Sequence, residues 1–368
     1  MDPTARQWGT MSTKDRLVAI VTGQSLAVGP GPAPISTTPE YPEAVYRAGP
    51  RDRPLTVGSG TGQAGCSLGY RLHEFTGSTV IIASSGAGGS TLRQISKGGD
   101  TGVYERAMTD VAASMRLVGL DGGFADVRTL HLIHGESDMQ ARTDQPTYRA
   151  QMRRLLADYT DDIAAIGGRA VRPRMIVCQV NSWPQYELDQ PTVGLAQLAE
   201  HVDSDRVFLV GPKYHLPSQA DGIHLTSVGY YRLGEYHARV AARLMAGRSW
   251  EPLRPLAAKL EGRRIVVPFA VPATPLRFDT STVPPEPHHG FTFTDDSESP
   301  PPITSVELEG DGTSVVVGLE SAPAGSQRRL RYGFRNQRGN LRDSETVTSR
   351  LDGAELANWC VHFDQEVT

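Results

Sequence analysis

Five short apolar runs, each ending at a small or polar residue, constrain the fold of this 368-residue chain more than any other feature. They cover residues 17–21, 78–83, 127–133, 175–180 and 207–210. Runs this short and apolar are typical of strands that are buried on both faces of a sheet.

Segments with helical spacing of apolar residues lie between these runs. The clearest covers residues 152–166 and stops at Gly167-Gly168, and weaker ones cover 103–117 and 193–202. Thr226 is suited to cap a last helix that extends to about residue 245. The alternation predicts an α/β domain of three layers (α/β/α), with a parallel five-stranded sheet covered by helices on both faces. Ligands of such sheets bind beyond the carboxyl ends of the strands.

The character of the chain changes after about residue 246. Residues 251–302 hold 11 of the 26 prolines, and proline is confined to loops and sheet edges because it cannot donate to a ladder. Short β-rich segments run through and beyond this stretch, at 264–267, 290–294, 305–308, 314–319 and 330–334. We therefore expect a small C-terminal all-β domain of sandwich type.

These changes predict four segments along the chain. Residues 1–15 are expected to be a flexible arm and residues 16–248 the α/β domain. Residues 249–261 would form a linker, and residues 262–368 the β-rich accessory domain.

The composition argues against several classes of partner. The 37 lysines and arginines are matched by 41 aspartates and glutamates, which gives a net charge of −4. There is no basic excess for nucleic acid or an anionic membrane, so we expect neither partner. No apolar stretch approaches the roughly 18 residues of a membrane span, and the polar start does not resemble a secretory signal. We expect a soluble protein, cytoplasmic or released, and the sequence is compatible with a homo-oligomer.

Cysteine and histidine patterns give no metal site. Cys66, Cys178 and Cys360 are too few and too scattered for a disulfide framework or a zinc site. Cys178 lies within an apolar run and is expected in the core. The pair His288-His289 has no other ligand at matching spacing, so we expect no metal.

Polar motifs follow four of the five predicted strands. Gly23-Gln24-Ser25 follows the first, and a glycine-rich loop over residues 84–91 follows the second. The sequence HGESD (134–138) follows the third, and DGIH (221–224) lies beyond the fifth. Each motif alone also has a plain structural interpretation, as a helix cap or a turn.

Together the motifs contain the groups that acyl transfer to serine requires. Ser25 offers a nucleophile at the head of a helix, His224 a general base, and Asp221 a carboxylate that fixes the imidazole tautomer. Backbone N–H groups of Ser25 and of the glycine loop are suited to stabilise an oxyanion.

The motifs GQSL (23–26), AGGST (87–91), HGESD (134–138) and DGIHLTSVGYYRLG (221–234) resemble those of the SGNH hydrolase superfamily. Within it they are most similar to the sialate O-acetylesterase and acetylxylan esterase branch of the carbohydrate esterases. The resemblance covers about residues 16–246 and implies a cofactor-free ester hydrolase. It implies Ser25 as nucleophile, His224 as base and Asp221 as its partner. It also implies an oxyanion hole at Ser25 and Gly88, with Gln24, Gly89 and Glu136 in supporting roles.

His134 departs from the pattern of this family. The carbohydrate-esterase branch has glutamine before its Gly-Glu, and the wider superfamily uses an asparagine in this block as an oxyanion donor. A neutral imidazole retains one N–H, so the resemblance implies that His134 completes the oxyanion hole. Asp138 is a poor substitute, since a carboxylate only accepts hydrogen bonds.

The resemblance implies an acetylated carbohydrate as substrate. Trp183 and Tyr214 follow the fourth and fifth predicted strands, where each would stack on a sugar face or serve in ordinary packing. Two alternatives remain. One is an esterase or thioesterase for lipid or other small acyl esters. The other is a non-catalytic glycan-binding or virion-associated protein whose β domain carries the function.

Overall fold

The computed structural model describes residues 13–29, 35–36, 38–49, 53–54 and 63–368. Most of the predicted flexible arm, residues 1–12, lies outside these residues. The chain forms two compact units. The first contains the chain up to Cys178 with Asp203–Phe208 and Leu216–Trp250, and the second contains Gln179–Val202, Leu209–His215 and Glu251–Thr368. The contiguous domain bounds drawn from the sequence stay a prediction.

A seven-stranded sheet is built mainly from the predicted apolar runs. Its strands are β1 (Arg16–Gly23), β2 (Val45–Arg47), β3 (Arg53–Pro54), β4 (Thr79–Gly86), β5 (Ala125–Ile133), β6 (Arg174–Gln179) and β7 (Val207–Pro212). The spatial order is β3-β2-β4-β1-β5-β6-β7. β1 pairs in parallel with β4 and β5, β2 with β4, and β5 with β6, whereas β3 lies antiparallel to β2. The α/β class is confirmed, and the sequence missed only the two short strands β2 and β3 at one side of the sheet.

Helices follow most of these strands along the chain. They are α1 (Ser25–Val28), α2 (Gln63–Thr76), α3 (Leu92–Ile95), α4 (Val103–Leu120), α5 (Glu136–Gln140), α6 (Gln145–Gly167), α7 (Thr192–Asp203) and α8 (Ser227–Met245). The longest, α6, begins after Asp144, whose carboxylate accepts from the Thr147 N–H at 2.7 Å. It ends at Gly168, which has φ 63°. All four helical patterns seen in the sequence are confirmed.

The start of α8 is fixed by a cap and by a close approach. The Thr226 hydroxyl accepts from the Gly229 N–H at 3.2 Å, which confirms the predicted cap. A Cβ at Gly229 would lie 2.2 Å from the Pro217 carbonyl oxygen, so only glycine lets the helix approach this segment. The first turn of α8 therefore holds the residues just before it in place.

The C-terminal part of the second unit is antiparallel β structure, as the sequence predicted. Its strands are β8 (Arg254–Pro255), β9 (Lys259–Glu261), β10 (Arg264–Ala270), β11 (Arg277–Phe278), β12 (Phe291–Thr294), β13 (Ile303–Leu308), β14 (Ser314–Leu319), β15 (Arg329–Tyr332), β16 (Leu341–Arg342) and β17 (Phe363–Glu366). They form the sheets β13-β14-β10-β8, with β9 on β10, then β12-β15-β17 and β11-β16. Ile265, Val315 and Phe291 lie in one buried core shared by these sheets.

Two buried histidines face each other between β5 and α8. The Nδ1 atoms of His131 and His237 are 3.3 Å apart, and His131 Nε2 lies 2.9 Å from the Thr129 hydroxyl. Burial, with a smaller contribution from His237, lowers the pKa of His131 well below its usual 6.5. Burial also lowers the pKa of His237 to about 3. Both rings are therefore neutral in the folded protein at neutral pH.

We expect this pair to make the protein sensitive to acid. Below the unfolded histidine pKa of 6.5, the unfolded chain binds protons at both residues while the folded chain does not. Each histidine then contributes about 1.4 kcal/mol per pH unit to the fall in the free energy of unfolding as pH decreases. In urea unfolding between pH 6 and 4, the free energy of unfolding of His237→Asn should therefore fall with decreasing pH less steeply than that of the wild type, by about 1.4 kcal/mol per pH unit. The exposed His288→Asn serves as a control, and an unchanged slope in His237→Asn would contradict the assignment.

Candidate active site

Ser25 lies at the first position of a short helix directly after β1. Gly23, the last residue of β1, has φ 153°, and a Cβ there would lie 2.0 Å from the Ile133 carbonyl oxygen of β5. Gln24 occupies the cap position, so Ser25 is the first helical residue and not the cap. The first N–H groups of a helix have no acceptor within it, which leaves the Ser25 N–H directed away from the helix.

Ser25, His224 and Asp221 form one hydrogen-bonded line. The His224 Nε2 atom lies 2.9 Å from Ser25 Oγ, although the two residues are 199 positions apart in the chain. The opposite ring nitrogen, Nδ1, lies 2.6 Å from Asp221 Oδ2. A carboxylate only accepts, so Nδ1 carries the proton and Nε2 is left to accept from the serine hydroxyl.

Asp221 stays ionised despite its partial burial. Desolvation acts to raise the pKa of Asp221, but hydrogen bonds from the His224 ring and from the backbone N–H groups of Ile223 and His224 outweigh it. The pKa therefore lies below its usual value of 3.8. The side chain is 43% exposed, so water screens its attraction to the imidazole and its main effect is to orient the ring.

The loop that carries Asp221 and His224 is closed by its own hydrogen bonds. The Gln219 N–H donates to the His224 carbonyl at 2.7 Å, and the Gln219 side chain donates to the Leu225 carbonyl at 2.9 Å. The Thr226 N–H donates to the Pro217 carbonyl at 2.9 Å. His224 is thus held from both sides, by this loop and by the capped start of α8.

Gly88 is the residue of the glycine loop that lies beside the serine. A Cβ built at Gly88 would lie 3.7 Å from the Ser25 Cβ, whereas one built at Gly89 would have no atom within 4 Å. The loop is tied to the nucleophile turn by the Ala87 N–H, which donates to the Gly23 carbonyl at 3.2 Å. Of the two glycines, Gly88 is therefore the neighbour of Ser25.

The geometry does not support the predicted oxyanion contact of His134. Its ring is buried, with Nε2 2.9 Å from the Ser90 carbonyl and Nδ1 3.2 Å from the Tyr148 hydroxyl. A carbonyl only accepts, so in the neutral ring Nε2 carries the single proton and donates it in a hydrogen bond to the Ser90 carbonyl. A second proton, on Nδ1, would face Tyr148 and Asp138, so no ring N–H is directed at a substrate.

Other buried polar groups near Ser25 join the nucleophile turn, the HGESD segment and the glycine loop together. The Gln24 side-chain carbonyl accepts from the N–H groups of Gly135 at 3.2 Å and Ser137 at 3.1 Å. The Asp138 carboxylate accepts from the Leu92 N–H at 2.7 Å and from the Thr143 hydroxyl at 2.8 Å. Glu136 is also buried, at 1% exposure. The contact of Asp138 with Leu92 was not predicted, because the motif HGESD shows a carboxylate at this position but not the N–H group that it faces.

Trp183 and Tyr214 are packing residues of the second unit, which corrects the sugar-stacking interpretation. Trp183 is 1% exposed, and its ring meets His362 edge-on at a centroid distance of 4.9 Å. The Tyr214 hydroxyl donates to the Cys360 carbonyl at 2.8 Å, and its ring packs against the β core. Trp183 is thus too buried to meet a sugar, and Tyr214 is partly buried against the β core, so both residues fit the ordinary packing alternative.

The other sequence features also have plain structural roles. All three cysteines are buried thiols, and Cys178 lies in the core as predicted. Within the described residues, no three His, Cys, Asp or Glu side chains lie close enough together to hold a metal ion. No helix in that part of the chain has both the length and the apolar character to cross a membrane.

A family model described as "carbohydrate esterase, sialic acid-specific acetylesterase" matches residues 53–243, just over half of the chain. The matched segment contains Gly88, His134, Asp221 and His224, whereas Ser25 precedes it. No curated protein sequence matches the chain.

Solved structures are similar to the chain at low sequence identity. A carbohydrate acetylesterase from Xanthomonas citri matches 96% of this chain and 80% of its own, with 15% identity and a TM-score of 0.59. A protein from Arabidopsis thaliana matches 61% of this chain and 97% of its own, with 19% identity and a TM-score of 0.49. A carbohydrate acetylesterase from Sinorhizobium meliloti matches 62% of this chain and 99% of its own, with 16% identity and a TM-score of 0.39. At 15% identity, the first of these similarities establishes a common fold.

The close approach at Gly23 predicts a large effect of a single methyl group. Gly23→Ala should lower the free energy of unfolding by about 3 kcal/mol or more, because the β1–β5 pairing must move to admit the Cβ. Gly98→Ala is the matched control, since Gly98 also has a positive φ, of 74°, but no atom lies within 4 Å of its Cβ position. It should lose only about 1–2 kcal/mol. Equal losses in urea unfolding would contradict the steric account of the turn.

Proposed function

The chain belongs to the sialic acid-specific acetylesterase family of carbohydrate esterases, and on that basis we propose that it removes O-acetyl groups from a carbohydrate through an acyl-enzyme on Ser25. Membership makes it a carboxylic ester hydrolase, and the family expected from its four motifs is confirmed. The observation that carries the mechanistic proposal is the line from Ser25 through His224 to Asp221, with contacts of 2.9 and 2.6 Å. Ser25 lies outside the matched segment, so its assignment rests on this geometry.

In the first half of the reaction, His224 Nε2 takes the proton of Ser25 as Oγ attacks the ester carbonyl carbon. The imidazolium that forms is oriented by Asp221, which remains ionised because its pKa is lowered. The oxyanion of the tetrahedral intermediate lies against the N–H groups of Ser25 and Gly88. His224 then returns the proton to the sugar oxygen, which leaves as the alcohol and leaves the acetyl group on Ser25.

In the second half, water takes the place of the sugar. His224 Nε2 accepts a proton from this water as the water attacks the acetyl carbonyl, and the same N–H groups stabilise the second tetrahedral intermediate. His224 then protonates Ser25 Oγ as acetic acid departs, and the acid ionises to acetate in solution. Each N–H donor contributes about 3 kcal/mol of transition-state stabilisation in comparable sites.

The exposure of the reacting groups fits a substrate whose acetyl group is carried by a larger molecule. Ser25 is partly exposed, Gly88 is exposed, and Asp221 lies at the surface. A carbohydrate ester can therefore present its acetyl group to Ser25 while the sugar stays outside. The choice of a carbohydrate as the alcohol rests on the family and on the similarity to the Xanthomonas citri protein, which is a carbohydrate acetylesterase.

Hydrolysis of p-nitrophenyl acetate, butyrate and octanoate tests the proposal first. The wild type should cleave acetate fastest, and Ser25→Ala should reduce kcat by at least about 10⁴-fold because the nucleophile is lost. A preference for octanoate would favour the lipid-esterase alternative. If wild type and Ser25→Ala hydrolyse p-nitrophenyl acetate with the same kcat, the proposed nucleophile is wrong.

Asp221→Asn tests the role of the carboxylate. An amide placed against Nδ1 can stabilise the tautomer with the proton on Nε2, which cannot accept from Ser25, so kcat should fall by about 10²–10⁴-fold. Asp121→Asn is the control, since Asp121 is exposed and lies at the end of α4. An Asp221→Asn variant with the wild-type kcat would remove Asp221 from the mechanism.

A further inference from the structure

The segment HGESD after β5 buries four polar side chains within five residues. His134 and Asp138 are each 1% exposed, Glu136 is 1% exposed and Ser137 is 6% exposed. Burial of such groups costs free energy unless each finds partners, so the partners of this segment show what it holds in place. In the mechanism above, none of them touches the substrate.

The partners of this segment lie on the two sides of the proposed oxyanion hole. On the serine side, the N–H groups of Gly135 and Ser137 hold the side chain of Gln24, which directly precedes Ser25. On the other side, His134 Nε2 donates to the Ser90 carbonyl, and Asp138 Oδ2 accepts from the Leu92 N–H at 2.7 Å.

These contacts leave a very short unsupported piece of the glycine loop. The Ala87 N–H is anchored to the Gly23 carbonyl on one side, and Ser90 and Leu92 are anchored to the buried segment on the other. Between the anchors lie the exposed Gly88 and Gly89, which have no side chain to pack. The place of the Gly88 N–H relative to Ser25 is therefore set by the two anchors.

We propose that Asp138 is a positioning residue of the esterase, which fixes the Gly88 N–H through Leu92, with His134 acting in parallel through Ser90. The inference rests on the proposed function for its catalytic consequence, although the contact with Leu92 stands independently. Asp138 is a buried acceptor held in turn by the Thr143 hydroxyl at 2.8 Å, so its own position is well determined. A displacement of the donor by about 1 Å is expected to cost about 10²-fold in rate.

Asp138→Leu and Asp138→Asn form the first matched pair. Leucine removes the acceptor for the Leu92 N–H, and kcat for the acetyl ester should fall about 10²-fold with KM little changed. Asparagine can still accept from Leu92 with its oxygen and donate its N–H to Thr143, whose hydroxyl reverses its role. It should therefore recover most of the kcat lost in Asp138→Leu. A merely structural residue would lower the yield of folded protein without this split between kcat and KM.

Leu92→Pro and Leu92→Ala form a second pair that leaves Asp138 untouched. Leu92 is the first residue of α3, where proline is tolerated, and Thr91 has the extended φ/ψ of −70° and 164° that a following proline requires. Both variants shorten the side chain, but only proline deletes the N–H. Leu92→Pro should therefore lose about tenfold or more in kcat relative to Leu92→Ala. This pair decides the question if Asp138→Leu does not fold.

Amide hydrogen exchange separates this inference from the proposed function. The Leu92 N–H should be protected in the wild type and exchange much faster in folded Asp138→Leu. If wild type and Ser25→Ala are both inactive on acetyl esters, the proposed function fails while the exchange result still tests the anchor. If Ser25→Ala abolishes an activity that Asp138→Leu and Leu92→Pro retain at the wild-type kcat, the positioning role is wrong and the esterase assignment stands.

Discussion

Parallel pairing of β1 with β4 and β5 brings three strand ends to one edge of the sheet, and the contacts that join the nucleophile turn, the glycine loop and the HGESD segment depend on it. The register sets Gly23 beside Gly86 on one side and beside Ile133 on the other. The nucleophile turn, the glycine loop and the buried HGESD segment leave the sheet from these three positions. The strands come so close at Gly23 that a Cβ has no room. A small shift in this pairing would therefore displace all three segments at once.

The candidate active site has a buried, hydrogen-bonded base and an exposed surface. The polar groups that join the three strand ends are buried, whereas Gly88 and Asp221 are exposed and Ser25 is partly so. His224 reaches Ser25 from a separate loop, which is closed on itself and held against the capped start of α8. Such an arrangement suits an esterase of this family, because the reacting groups are positioned in advance while a large sugar needs no enclosed pocket.

The parts of this arrangement that follow from local pattern could be predicted from the sequence. The five apolar runs form β1, β4, β5, β6 and β7, and Thr226 caps α8 as its position indicated. The short strands β2 and β3 have three and two residues, too few to show a periodic pattern. The roles of His134 and Asp138 could not be read either, because a sequence shows what a side chain can donate or accept but not which group it faces. For the same reason the sequence left open whether Trp183 and Tyr214 stack on a sugar or pack within the protein, since their surroundings include residues that come much later in the chain.

The central claim is that an acetyl group passes through Ser25, and mass spectrometry of the acid-quenched enzyme tests it most directly. The wild type, mixed with an excess of p-nitrophenyl acetate and quenched during turnover, should carry one acetyl group on the peptide that contains Ser25. The same peptide should stay unmodified in Ser25→Ala and in wild type quenched after the substrate is exhausted. Turnover without acetyl on this peptide, or with transient acetyl on another residue that Ser25→Ala retains, would contradict the account.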